Sequence, residues 1–341
     1  MKDKKQDSGT NAGWTRRHFL GAGLTAGVCG LSGYWLFNGP LSRRDRATTF
    51  IEKVSSYSAD LAGAIRSGLE ALGVSRDEIR NKKILLKPNL VETYPNATHI
   101  TTHPAVVRGA IEAFLALGAD EVLIAEGPGH CRDSFLLLEE SRLVEILEED
   151  HIRFVDLNYD ETYSISNAGG HSAFKTFIFP ETLRNVDWIV SMPKMKTHHW
   201  AGVTLSMKNM FGVMPGSFYG WPKNVLHWAG INETILDIYA TLQPHLAIVD
   251  GIVGMEGDGP VMGELRQVGV LVLGRSFPAV DATCARIMGI NPNKINYLSM
   301  AEHRLGTIRE RNIQQRGESI ASVRSDFALV DHIPALRGIR L

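Results

Sequence analysis

Residues 187–212 read DWIVSMPKMKTHHWAGVTLSMKNMFG, and this stretch decides the fold. Asp187–Pro193 is an apolar run closed by a proline that has no N–H for a sheet ladder, which predicts a buried strand ending there. Lys194, Lys196 and His198 follow at its C-terminal end, where open α/β sheets hold their ligands. In an extended chain residues two apart share a face, so these three groups are expected to point into one space. Lys208 and Asn209 come next, set among methionines and Phe211. A lysine-rich loop can keep its ammonium groups wet while its stems cover apolar surface. The alternative is an anion site, and the apolar company favours it, because a solvated loop has no need of so many large apolar side chains.

The same grammar recurs upstream. Lys83–Leu86 (KILL) is a short apolar run that gives way to Lys87-Pro88-Asn89, so Lys87 and Asn89 stand just past a strand as Lys194 and Lys196 do. Residues 93–103 form a polar loop holding His99 and His103, and Pro104 opens a helix to Leu117 that Thr101 or Thr102 can cap. Glu121–Glu126 (EVLIAE) is the next strand. Strand, helix and strand in this order predict a right-handed crossover and a parallel sheet. The fold class expected is therefore α/β, a mostly parallel or mixed central sheet with helices on both faces and long Gly/Pro-rich functional loops.

Further elements follow from periodicity. Helices are predicted over 50–72, 136–149, 231–242, 279–288 and 295–305, and strands over 153–158, 174–179, 246–250, 268–273 and 327–330. Residues 213–230 (VMPGSFYGWPKNVLHWAG) have no clear period and carry Lys223 and His227, a composition usual for functional loops. Residues 251–263 form a glycine-rich turn around Glu256 and Asp258, in which Gly257 and Gly259 can bring backbone amides to a ligand.

Composition bounds the function. The 341 residues are 44% hydrophobic and 21% charged, enough for one large domain or two smaller ones. The net charge of -1 hides a split, since eight Lys or Arg and three Asp or Glu precede Ala47. The acidic remainder argues against nucleic acid as a partner. Three cysteines, Cys29, Cys131 and Cys284, show no CxxC or Cys/His spacing, so neither zinc nor an iron–sulfur cluster is supported.

The N-terminus carries Thr15-Arg16-Arg17-His18-Phe19-Leu20, then a Gly/Ala-rich apolar run to Phe37 and basic residues at Arg43, Arg44 and Arg46. Paired arginines before a weakly hydrophobic segment predict a twin-arginine export signal and a periplasmic or extracytoplasmic protein. No clean cleavage site precedes Pro40, so the run from Phe19 to Phe37 can also remain as a membrane anchor of about 20 residues. Residues 1–46 are read as leader and 47–341 as one α/β domain, with a subdivision conceivable near 180–230.

Several stretches together resemble the proteins grouped as domain of unknown function 362. They are Leu86–Leu90 (LKPNL), Thr102-His103-Pro104, Met192–His198 (MPKMKTH), Ser206–Gly212 (SMKNMFG), Val249-Asp250-Gly251, Gly254–Pro260 (GMEGDGP) and Ala279–Ala282 (AVDA). The KxKTH and SxKNxFG blocks are the specific ones. Some relatives add cysteine-rich iron–sulfur modules, and this sequence lacks those cysteines, so the resemblance implies no electron transfer.

If the strand-end groups meet, one pocket holds Lys87, Asn89, His103, Lys194, Lys196, His198, Lys208, Asn209 and His227, with Gly257 and Gly259 as backbone donors. Crowded lysines depress one another's pKa and nearby acids raise it, which suits Lys194, Lys196, His198 and Lys208 to catalysis. Asp250, Glu256, Asp258 and Asp281 face them, and the first three can hold a divalent cation such as Mg²⁺. No GxSxG, HExxH, GxxxxGK[ST] or GxGxxG pattern is present. The expected partner is a small anionic metabolite, bound by an enzyme or by a non-catalytic receptor or subunit of an exported assembly.

Overall fold

The computed structural model describes residues 46–94, 97–129, 133–302 and 304–341. The segment predicted to be a twin-arginine export signal, and Cys131, lie outside them. Residues from Arg46 onward form one compact unit.

Its centre is a mixed sheet in the order β12-β1-β11-β10-β7-β2-β3-β4. These strands are β1 (Ala47–Lys53), β2 (Lys83–Pro88), β3 (Glu121–Glu126), β4 (Phe154–Asp156), β7 (Trp188–Met192), β10 (Leu246–Glu256), β11 (Glu264–Gly274) and β12 (Ile313–Gly317). The run from β10 through β7, β2 and β3 to β4 is parallel, whereas β11 is antiparallel to both β10 and β1. β8 (Lys194–His198) continues from β7 and pairs with β10 and with β9 (Gly202–Thr204). β5 (Thr162–Ser166) and β6 (Thr176–Pro180) form a separate antiparallel ribbon.

Side-chain alternation sorts each central strand between two cores. Ile84 and Leu86 of β2, with Val122 and Ile124 of β3, pack beneath the helices Leu61–Ala71 and Pro104–Ala116. Leu85, Leu123 and Ala125 face the other way, toward the helices Ile231–Leu242 and Phe277–Ile287. Strands buried on both sides need helices on both sides, which is why they read as near-continuous apolar runs.

Some sequence expectations are corrected. The helix predicted over 50–72 starts only at Leu61, capped by Asp60, because the β-branched run Ala47–Lys53 joins the sheet between β11 and β12. The helix predicted over 136–149 breaks at Arg142, which holds a left-handed φ of 63° between two shorter helices. The helix over 295–305 shortens to Asn296–Ala301. Residues 327–330 form no strand: Phe327 is buried in the core, and the last strand is β12. β10 runs on to Glu256, so Gly251 and Gly254 are sheet residues and not part of a loop. Neither Thr101 nor Thr102 caps the helix at Pro104; His103 Nδ1 does, accepting from Ala105 N at 3.1 Å.

One buried ion pair ties β8 into this frame. Lys194 and Asp250 are register partners across β8 and β10, and Lys194 Nζ lies 2.5 Å from Asp250 Oδ2 with both side chains fully buried. Asp250 also accepts from His103 N at 2.9 Å, Ile252 N at 3.2 Å and Tyr57 OH at 3.1 Å. Lys194→Met leaves that carboxylate without its counter-charge and is expected to cost about 3–5 kcal/mol in urea unfolding. Adding Asp250→Asn removes the charge while keeping an acceptor for His103 N, and should recover part of the loss. A double variant no more stable than Lys194→Met would show that charge burial is not what the pair resolves.

Candidate functional site

A cavity of about 290 Å³ opens beyond the C-terminal ends of β2, β3 and β8. Lys196, His198, His199, Lys208, Lys223 and His227 supply its nitrogen-bearing wall, and Glu126 and Asp258 its carboxylates. Trp200, Phe211, Pro222, Val261 and Met262 form the apolar remainder, with Asn89, Thr204 and Asn209 between.

Its floor is a buried cross-link among distant segments. The Lys87 ammonium contacts the Glu126 carboxylate and donates to Pro88 O at 2.8 Å and Asn209 Oδ1 at 3.1 Å. Asn209 returns two bonds through Nδ2, to Lys87 O and Ser191 Oγ, both at 3.1 Å. Burial pushes Lys87 down and Glu126 up, and each pulls the other back toward its charged form. Gly212 lies directly over this pair: a Cβ there would sit 2.1 Å from Glu126 Oε1 and 2.6 Å from Lys87 Nζ, so any larger residue has to push the ion pair aside.

Above the floor, each amine stands in a different environment. Lys196 is fully buried and donates to Ile100 O at 2.7 Å and Pro260 O at 3.0 Å; burial, then the neighbouring Lys194 and Lys208, holds it well below the usual lysine range. Lys223 donates to Asn158 Oδ1 at 2.9 Å and to the Met214 carbonyl, and burial lowers it to about 7. Lys208 lies over the Phe211 ring, 4.3 Å from its centre, and meets no hydrogen-bond acceptor among the described residues. Burial and Lys87 bring it down to about 7 against the opposing pull of Glu126.

The histidines are fixed by their partners. His198 Nδ1 accepts from Trp200 N at 3.1 Å and Ala201 N at 3.3 Å, so in the neutral ring the proton sits on Nε2. His227 Nδ1 lies 3.0 Å from the Lys223 carbonyl, which only accepts, so there the proton sits on Nδ1 and Nε2 is bare. Burial, with Lys208 close by, lowers both, His227 to about 4. Neutral His198 is thus a hydrogen-bond donor rather than a proton shuttle. Asn89 Oδ1 and Thr204 Oγ1 are buried on this wall without a partner among the described residues.

The structure brings some of the groups singled out in the sequence to one cavity and places others elsewhere. Lys196, His198, Lys208, Asn89, Asn209, His227 and Asp258 line the cavity, and Lys87 lies beneath it. Lys194, His103 and Asp250 form a separate network, in which the His103 ring stacks on Tyr57 at 3.6 Å. The β8 register turns Lys194 toward Asp250, so the shared face expected for 194, 196 and 198 does not persist. Glu256 accepts from Ala328 N at 2.8 Å and pairs with Arg266 at 3.7 Å. Asp281 accepts from Ser206 N at 2.7 Å, Met207 N at 3.1 Å and Tyr297 OH at 3.2 Å, and burial raises it to about 7. The proposed metal ligands Asp250, Glu256 and Asp258 are therefore committed to separate places, and among the described residues no group of three or more His, Cys, Asp or Glu gathers to hold a metal ion. Gly257 N and Gly259 N bond to Ala328 O and Gly257 O, so neither amide is offered to a ligand. A Cβ at Gly259 would lie 2.1 Å from Thr197 O, which explains that glycine by packing.

The site also uses residues outside the expected set. Glu126 ends β3 as Lys87 ends β2, and that parallel was visible in the sequence. Lys223, His199, Thr204, Trp200 and Phe211 become site residues only through the fold.

Lys223 gives a pH signature. A lysine lowered from 10.5 to about 7 in the folded state releases its proton on folding between those values. The unfolded chain then binds more protons, so stability rises with pH from about 7 toward 10, at up to ~1.4 kcal/mol per pH unit. Lys223→Met should flatten this rise in urea unfolding series, and parallel curves for the two proteins would show that Lys223 stays charged when buried.

Residues 84–286 match the family described as Domain of unknown function (DUF362). The thylakoid-associated protein sll1697 of Synechocystis sp. is 25% identical over 272 residues, covering 76% of this chain and 80% of that protein. A crystal structure of a Thermotoga maritima protein superposes over 66% of this chain and 58% of that chain, at 12% identity and a TM-score of 0.38. The family match takes in the strands bearing Lys87, Glu126 and Lys196, the helix bearing Lys208 and the segment bearing Lys223 and His227, and the chain belongs to the DUF362 family.

Proposed function

We propose that this chain is an exported enzyme whose cavity takes a small carboxylate- or phosphate-bearing molecule with an apolar body, and that its buried amines supply the chemistry. One observation carries the reading: Lys208 presents an amine to the cavity with no acceptor among the described residues. The nearest buried carboxylate, Glu126, is already engaged by Lys87. An anion is the partner that draws such depressed amines back to their charged form, and charge-assisted hydrogen bonds are the stronger ones. Trp200, Phe211 and Met262 suit the apolar body, since ligand sites are mostly apolar with a few placed polar groups.

A non-catalytic receptor is the second reading, favoured by His198 and His227 being held neutral, which leaves them to bind rather than to move protons. For location, the paired arginines at 16 and 17 and the weakly apolar run behind them support export, and the relative described as thylakoid-associated is consistent with a place at a membrane.

Two experiments test this. In calorimetry, phenyl phosphate should bind and benzyl alcohol should not, and Lys208→Met should weaken the phosphate by roughly ten- to a hundredfold, the loss of one charged hydrogen bond. Equal affinity for the neutral and anionic probes would sink the anion reading. For export, Arg16→Lys with Arg17→Lys keeps the charge and removes the arginine pair. Fractionation should then find the chain retained in the cytoplasm, and undiminished export would exclude the twin-arginine route.

A further inference from the structure

Five lysines gather in or beside this rim, four of them buried and Lys208 half-buried, and they are not equivalent. Lys87, Lys194, Lys196 and Lys223 each donate to fixed oxygen atoms that orient the ammonium protons. Those bonds pin each of the four heads against the protein and away from a bound molecule. Lys208 differs. It sits on the short helix Ser206–Asn209, whose first amides are anchored by Asp281, and its Nζ faces the cavity over an aromatic ring with no acceptor among the described residues.

We propose that Lys208 is a nucleophilic amine that forms an imine with the carbonyl carbon of an anionic aldehyde or ketone, an oxo acid, seated in the cavity. This rests on the anion-binding reading above and adds to it the substrate class and the bond made. The Nζ lone pair attacks the carbonyl carbon, a C–N bond forms, and the carbonyl π electrons move to oxygen. The C–O bond then breaks and oxygen leaves as water, taking the two protons the amine carried, so that amine plus carbonyl gives imine plus water with no further reactant.

The surroundings fit each stage. The unprotonated amine is accessible near neutrality, because burial and Lys87 lower Lys208 to about 7 while Glu126 opposes them. His198, with its proton on Nε2, supplies a hydrogen-bond donor for a carbonyl oxygen in the same cavity. Lys223 lines the same cavity, and its protonated form keeps a third N–H beyond those given to Asn158 and Met214, which can meet the anionic end. Phe211, which is buried, and Val261 give the amine an apolar wall on one side. An amine desolvated beside other cationic groups is a general route to an activated lysine.

The test uses the full chain with phenylglyoxylate, an aromatic oxo acid, and cyanoborohydride, which reduces an imine to a stable secondary amine. Peptide mass spectrometry should find one adduct per chain, at Lys208. Its formation should rise with a midpoint near pH 7, whereas surface lysines require about pH 10. Lys208→Arg should abolish the adduct. Labelling spread over exposed lysines, or none at Lys208, overturns the proposal without depending on how any variant folds. Phenyl phosphate separates the two readings, since it has no carbonyl. If it binds and phenylglyoxylate binds without being trapped, imine formation fails and anion binding stands; if neither binds, both fail.

Discussion

Removing an ammonium group from water is so costly that every buried lysine here has to be matched, neutralised or placed against a cavity, and that requirement organises the rim of the sheet. Lys194 is matched by Asp250 across two strands, and Lys87 by Glu126 beneath the cavity floor. Lys196 and Lys223 meet only neutral oxygens, which can hold an amine but cannot balance a full charge, and burial holds both below the ordinary lysine range. Lys208 has the cavity itself. These solutions differ in kind, and the difference separates scaffold from site. A matched pair is fixed, whereas an unmatched amine is open to whatever enters the cavity.

The histidines follow a related logic with hydrogen atoms in place of charge. His198 spends its Nδ1 lone pair on the turn that leads from β8 to β9, and His227 spends its Nδ1 proton on the carbonyl one helical turn behind it. Backbone demands thus settle which ring donates and which accepts inside the cavity. The apolar wall then raises the cost of protonating either one.

Much of the architecture was legible because strands buried on two faces must be apolar throughout, as KILL, EVLIAE and DWIVSMP are. The errors have equally local causes. The second half of β1, residues 50–53, runs straight into a good helical pattern and reads as its start, although the β-branched residues of ATTFIEK favour the sheet. The glycines of β10 read as a turn, because their role is to let Met195 and Phe327 pack against the strand, a neighbourhood that no local pattern reveals. Within the site, the lysines announced themselves by sitting among apolar residues. Which of them would pair with an acid was not legible: Asp250 lies 56 residues from Lys194 and is chosen by strand register alone.

The Lys87 cross-link has a consequence for how the chain is made. Its carboxylate partner lies 39 residues further along and its amide partner 122 residues further. On a ribosome the amine emerges long before either, and has to stay hydrated while the strands on both sides of it collect. Joining such distant groups is slow, because loop closure comes before any reward from contact. Biosynthesis therefore proceeds with the sheet rim open to water, and the cavity acquires its dry floor only after the segment bearing Asn209 has cleared the exit tunnel.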